Sequence, residues 1–212
     1  MKIDILFPLS FRHESIIPRD HGYLLYSGIS RIIPKIHNDD VFIHRIHGIN
    51  ERNWIRLTNY SVIGIRINID EAECLRELVG SRIRIGKEEV WLGKPGYRKI
   101  EMSDKLFVPG VTIKFCEIGS GGLLGNFMDA IHKKIGIDIK VEIKRRAYTE
   151  VKGKKLCGYD IFLDGIDLKE SIRLQEEGIG GRKRMGCGIP VKPKGIIIQR
   201  SPGPIAYSTT PA

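Results

Sequence analysis

Twice along these 212 residues the hydrophobic pattern runs strand, helix, strand, strand, helix, strand, and that order leaves few folds open. Residues 2–9 alternate and are rich in β-branched side chains, as a first strand requires. Over residues 21–37 the period becomes helical, with Leu25, Ile29, Ile32, Ile33 and Ile36 on one stripe. Pro34 is expected to kink or end that helix, because it removes the bond to the Ser30 carbonyl. Tyr23, Tyr26, Ser30 and His37 project from one flank of the same helix, beside the stripe. Residues 41–48 read as a short strand or extended segment. Residues 54–57 and 61–69 read as strands paired around a turn at 58–60. Asp70 is expected to cap a second helix that runs to about Val79 and closes at Gly80. Strands at 83–85 and 89–92 complete the first half.

Residues 93–104, with Pro95 and Gly96, form the natural boundary. The same grammar then returns: strand 105–117, glycine turn 119–122, helix 123–135, strands 137–146 and 159–163, helix 168–177 and a last strand 188–199. The fold class is α+β, two tandem ferredoxin-like (RRM-like) domains at 1–93 and 104–200. The halves share pattern and not identity. The tail 201–212, rich in proline, is expected to be disordered.

A hydrophobic content of 42% beside 28% charged residues is enough for a packed core. The net charge of +10 points to a polyanionic partner, nucleic acid first and a membrane surface second. No apolar run approaches the roughly 20 residues needed to span a bilayer. The first residues read as a strand and not as a signal peptide, so a cytoplasmic location is expected. Cys74, Cys116, Cys157 and Cys187 are scattered without a CxxC pair, so neither a zinc site nor a disulfide framework is expected. No carboxylates cluster at metal-ligand spacing, which disfavours a two-metal nuclease, and no cofactor is expected. Glutamine occurs only as Gln175 and Gln199 among many charged residues, a hint of a thermophilic source.

Residues 178–188 stand out. Gly178, Gly180, Gly181, Gly186 and Gly188 surround Arg182, Lys183 and Arg184, between a helical and a strand-like run. Glycine lets a bulky partner approach the backbone, and the cations supply donors for phosphate oxygens. The bland alternative is a mobile surface turn with incidental charge. A nucleotide-cradling loop would run strand, loop, helix; this one runs helix, loop, strand.

This ending, in a tandem ferredoxin-like chain, resembles the repeat-associated RNA-binding superfamily of CRISPR systems, and within it the endonucleases that process CRISPR precursor RNA. Three stretches carry the resemblance: residues 21–31 with Pro34 and His37 following, the histidine segment 43–48, and the glycine loop 178–188. It implies metal-independent cleavage on the 3′ side of a repeat hairpin. It also implies attack by the neighbouring 2′-hydroxyl, leaving a 2′,3′-cyclic phosphate.

In-line attack by a 2′-hydroxyl needs a base, an acid for the 5′-oxygen and positive charge at the phosphate; histidine suits the proton transfers. Of six histidines, His44 is favoured because it lies in the segment that matches the family's histidine motif. Its alternative is a strand histidine facing solvent. Tyr26 follows, as a hydroxyl that orients nucleophile or leaving group, or else as a core-edge tyrosine. His37 is third, with a helix-capping role as its alternative. His13, His21 and His132 read as surface residues. The family often adds a lysine; Arg45 or Lys35 would have to stand in for it. For RNA binding, Gly180, Gly181, Arg182, Lys183, Arg184 and Gly186 are the loop's candidates, with Lys144, Arg145 and Arg146 behind them. Strand alternation should expose only part of that last group, and residues 152–155 read as a basic hairpin tip. The expected partner is a CRISPR repeat hairpin. The alternative function is a non-catalytic RNA-binding subunit of a CRISPR effector complex.

Overall fold

The alternating Ile3, Ile5, Phe7 and Leu9 of β1 (Lys2–Ser10) are all buried, which makes it the central strand of the first sheet. The computed structural model describes residues 1–37, 40–112, 123–136 and 138–193. After β1 come β2 (Ile16–Pro18), α1 (Gly22–Ser30) and a 3₁₀ turn at Pro34–His37. Next are β3 (Phe42–Ile43), β4 (Ile49–Glu51), β5 (Trp54–Arg56) and β6 (Val62–Asn68). A 3₁₀ helix at Ile69–Leu78 leads to β7 (Arg82–Ile85), β8 (Glu88–Leu92) and β9 (Gly96–Lys99). The second half holds β10 (Lys105–Val111), α2 (Leu123–Ile135), β11 (Lys140–Val151), β12 (Lys154–Asp164) and α3 (Leu168–Glu177).

The first sheet is antiparallel in the order β3-β6-β1-β9, with β8 beside the far end of β1 and β7 outside it. The second runs β11-β12-β10, and Val191 bridges to Phe107 on the open side of β10. Counting only the strands named in each order, the first is 2-3-1-4 and the second 2-3-1 with the bridged Val191 in fourth place, the ferredoxin-like arrangement read twice from the sequence. Each half has its own apolar cluster. Leu25 and Ile29 of α1 pack with Ile63 and Ile65 in the first, and Phe127 and Ile131 of α2 pack with Ile161 and Leu163 in the second.

Helices α2 and α3 occupy the residues their periodicity predicts. Phe127, Ile131 and Ile135 follow at i, i+4, i+8 and are all buried. Asp167 caps α3 by accepting the backbone N–H groups of Lys169 and Glu170 at 2.9 and 3.1 Å, a contribution of about 1 kcal/mol. Helix α1 ends at Ser30, before Pro34, because the residue preceding a proline is pushed out of helical geometry.

Four expectations are corrected. Strand β5 does not pair with β6: it lies between β2 and β4 in a separate small sheet, while β6 pairs with β1 and β3. The segment expected as an α-helix capped by Asp70 is a 3₁₀ helix that starts from Asn68. Its buried residues are Leu75 and Leu78, a three-residue spacing that stacks side chains along a three-per-turn helix. Strand β9 shows that part of the expected boundary segment belongs to the first sheet. His21, expected on the surface, is fully buried. The tail 201–212, the glycine turn 119–122, the end of strand 105–117 past residue 112 and the last strand past residue 193 lie outside the described residues.

The two halves meet through polar bonds. Arg66 donates to the carbonyls of Gln175 and Pro190, both at 2.9 Å, and Lys2 Nζ donates to the Glu176 carbonyl at 2.7 Å. No helix among the described residues is long and apolar enough to cross a membrane.

Candidate active site

Tyr26 lies one turn into α1, half-buried against the first core, and His37 closes the 3₁₀ turn beyond Pro34. The break at Pro34 folds that turn back along the helix, so the two side chains meet although eleven residues separate them. Tyr26 Oη and His37 Nδ1 are 2.5 Å apart, with the rings edge to face at 5.8 Å. His37 is exposed, and its Nε2 has no hydrogen-bond partner among the described residues. A hydroxyl therefore fixes one face of an imidazole whose other nitrogen is open to a substrate.

Arg184 reaches the same place from the glycine loop. Its guanidinium lies 5.5 Å from the Tyr26 ring centre and donates to the His37 carbonyl. A cation is thus fixed beside the tyrosine–histidine pair, in a geometry that depends on the loop's seating. Met185 packs onto the start of α1, where a Cβ on Gly22 would come 2.1 Å from the Met185 carbonyl oxygen. Gly186 has φ +74°, and a Cβ there would sit 2.4 Å from Arg45 Cγ. The loop's backbone donates as well: Gly181 N–H to the Thr112 carbonyl at 3.0 Å and Gly188 N–H to the Pro109 carbonyl at 2.6 Å. Gly22 and Gly186 serve close packing between the halves, and Gly181 and Gly188 tie the loop to its own half, so this part of the loop is wedged in place.

His44, favoured from the sequence, is placed elsewhere. Its Nε2 lies 3.1 Å from Asp4 Oδ1. Asp4 also accepts from Arg66 Nε at 2.7 Å and Arg98 Nη2 at 2.8 Å, because Arg66 and Arg98 are its cross-strand partners on β6 and β9. Burial lowers the His44 pKa; the bond to Asp4 opposes that and nearby Arg66 adds to it, leaving a neutral ring that donates to the carboxylate. Burial alone would raise the Asp4 pKa, but the bonds from His44 and Arg66 outweigh it and hold the group far below the carboxylate range. None of the bonds formed by His44 involves Tyr26, His37 or Arg184.

His21 has both ring nitrogens engaged: Nδ1 donates to the Pro18 carbonyl at 3.0 Å, and Nε2 accepts the Ile46 N–H at 2.9 Å. Burial pushes its pKa down to about 4, so it is neutral and pins the start of α1 to the segment carrying His44. Arg45 donates to Thr149 Oγ1 at 2.7 Å beneath the glycine loop and lies outside the pair as well.

Among the loop cations, Lys183 Nζ donates to the Glu177 carbonyl at 2.8 Å, whereas Arg182 is exposed at φ +63° with no side-chain partner among the described residues. Lys144, Arg145 and Arg146 are all exposed, contrary to simple alternation. The register between β11 and β12 slips between Ile143 and Arg145, and the extra residue turns three consecutive cations outward. Arg145 is tied to buried Asp160 at 2.5 Å, which also accepts the Gly110 N–H at 2.7 Å. The basic tip at 152–155 is the turn at Lys152 and Gly153 joining β11 to β12, with the first two residues of β12. Among the described residues no group of three His, Cys, Asp or Glu side chains could hold a metal ion.

Sequence reasoning missed Asp4, on which the His44 cluster converges. A lone acid between Ile3 and Ile5 in a buried strand was the available signal, since such a group must find cations.

Comparison with known proteins agrees with this fold. The chain is 29% identical over 192 residues to the CRISPR-associated endonuclease Cas6 of Myxococcus xanthus (strain DK1622), covering 90% of this chain and 81% of the relative. A solved CRISPR associated protein Cas6 superposes with a TM-score of 0.68 at 14% identity, over 92% of this chain and all of the other. A structure described as an RAMP protein binding different RNA substrates gives 0.67 at 15%, over 89% of this chain and 98% of the other. The family model described as Cas6 Crispr matches residues 3–194, nearly the whole described chain, and the chain belongs to the Cas6 family of CRISPR-associated endonucleases.

Proposed function

We propose that this chain cuts CRISPR precursor RNA beside a repeat hairpin, using Tyr26 and His37 to move protons and Arg184 to supply charge. The observation that carries the reading is the Tyr26–His37 pair, 2.5 Å apart with an open imidazole nitrogen, beneath a cation from the glycine loop. With Nδ1–H donating to the tyrosine oxygen, Nε2 is free to accept the proton of the attacking 2′-hydroxyl. The Tyr26 O–H is then free to donate to the 5′-oxygen. The O2′–P bond forms as the P–O5′ bond breaks, leaving a 2′,3′-cyclic phosphate upstream and a 5′-hydroxyl downstream. Arg184 stabilises charge on the non-bridging oxygens. Arg182, Lys144 and Arg146 contact backbone phosphates of the stem, which presents a regular anionic surface and a groove too narrow for side chains. His44 is a structural residue in this scheme, within the cluster that joins β1 to its neighbours.

A panel of repeat hairpins incubated in EDTA, with end-group analysis of the fragments, tests the reading. Cleavage should proceed and leave a cyclic phosphate. A requirement for Mg²⁺, or a 3′-hydroxyl on the upstream fragment, would overturn the chemistry. Tight binding without cleavage by any repeat would favour a non-catalytic subunit.

A further inference from the structure

The small sheet β2-β5-β4 has two unlike faces. Ile17 and Ile55 are buried on one, while Ile16, Ile49 and Trp54 lie open on the other, the indole 50% exposed. Register sets Ile16 and Ile49 on either side of Arg56, and Pro18 and Glu51 on either side of Trp54. An aromatic ring and its apolar neighbours thus form one outward surface. Of the nearby acids, Glu14 and Glu51 both pair with Arg56, and Asp20 accepts the Glu150 N–H at 2.5 Å. Arg19 and Arg52 remain exposed at the rim; Arg19 is held there by donating to the Arg52 carbonyl at 3.2 Å. An exposed indole edged by arginines that pair with no carboxylate among the described residues matches unpaired RNA, whose bases stack while its phosphates meet the arginines. Paired bases hide their faces and would gain nothing there.

The surface also lies within reach of the proposed cleavage centre. From Pro18, the strand partner of Trp54, four residues lead to Gly22, and four more lead along α1 to Tyr26. Strand spacing, extended chain and helical rise together bound the separation at about 25 Å.

We propose that this sheet is a stacking platform for the single-stranded RNA flanking a repeat hairpin, with Trp54 as the stacking residue and Arg19 and Arg52 holding its phosphates. The proposal rests on the RNA-processing reading above. Its test measures affinity for a repeat hairpin with and without its unpaired flank, in the wild type, Trp54→Ala and Trp54→Phe. Trp54→Ala should lose about 5- to 100-fold in affinity for the flanked RNA, keep its affinity for the bare hairpin, and recover in part as Trp54→Phe. Equal binding of flanked RNA by Trp54→Ala and wild type would overturn the platform. So would an equal loss on the bare hairpin, or a concentration-dependent dimer abolished by Trp54→Ala. Quenching of indole fluorescence by oligouridine in a Trp91→Phe background tests the platform separately. Quenching there would stand even if no repeat hairpin were cleaved, and its absence would count against the platform whether or not the chain is a nuclease.

Discussion

His44 Nε2 donates to Asp4 Oδ1 across 3.1 Å, and that bond makes the histidine part of the framework. Replacing His44 with Ala removes one donor from a buried carboxylate that keeps Arg66 and Arg98. The expected cost is about 1–3 kcal/mol of folding stability. Urea unfolding measures it, and the folded fraction should still cleave RNA at close to the wild-type single-turnover rate.

His21 makes stability depend on pH. Its folded pKa, about 4, lies below the unfolded value of 6.5, so the unfolded chain binds more protons between the two. The stabilisation is fully present above pH 6.5 and is lost as pH falls towards 4, by about 3 kcal/mol in all. Unfolding free energies measured from pH 7 to pH 4.5 should fall less steeply for His21→Asn than for the wild type. Equal slopes would contradict this assignment.

Gly22 and Gly186 hold the loop against the first half. Gly22→Ala sets a Cβ against the Met185 carbonyl, and Gly186→Ala adds a positive φ to a clash with Arg45. Each should cost about 2 kcal/mol or more and slow cleavage by displacing Arg184. Gly125→Ala on α2, where a Cβ meets nothing within 4 Å, should leave stability unchanged or raise it by about 0.5–1 kcal/mol. Thermal melts of the three variants decide the matter.

The regular parts of the fold were legible because their signals are local. Helix α2 declares itself through Phe127, Ile131 and Ile135, and β1 through its alternating isoleucines. What could not be read depends on residues distant in sequence. The segment around His44 does not show its bond to Asp4, forty residues away. His37 looks like a helix cap until the break at Pro34 brings it to Tyr26. The partners of β5 and the slip beside Lys144 follow from pairing register, which no window along one strand contains.

Arg182 has no side-chain partner among the described residues, and in the proposed scheme it meets a phosphate. Arg182→Ala should weaken hairpin binding without loss of stability and reduce the log–log salt slope by about 0.7–0.9. Lys183→Ala should also lower stability, since its ammonium is bonded to the end of α3. Filter binding across a salt series, paired with melting curves, separates the two effects.

The most direct test of the account compares single-turnover cleavage in EDTA for wild type, His37→Ala and His44→Ala on one repeat hairpin. His37→Ala should be slower by about 10²–10⁴-fold with hairpin affinity kept, and folded His44→Ala should cleave as the wild type does. A His37→Ala enzyme as fast as wild type, or a folded His44→Ala enzyme that binds the hairpin and cannot cut it, would contradict the account.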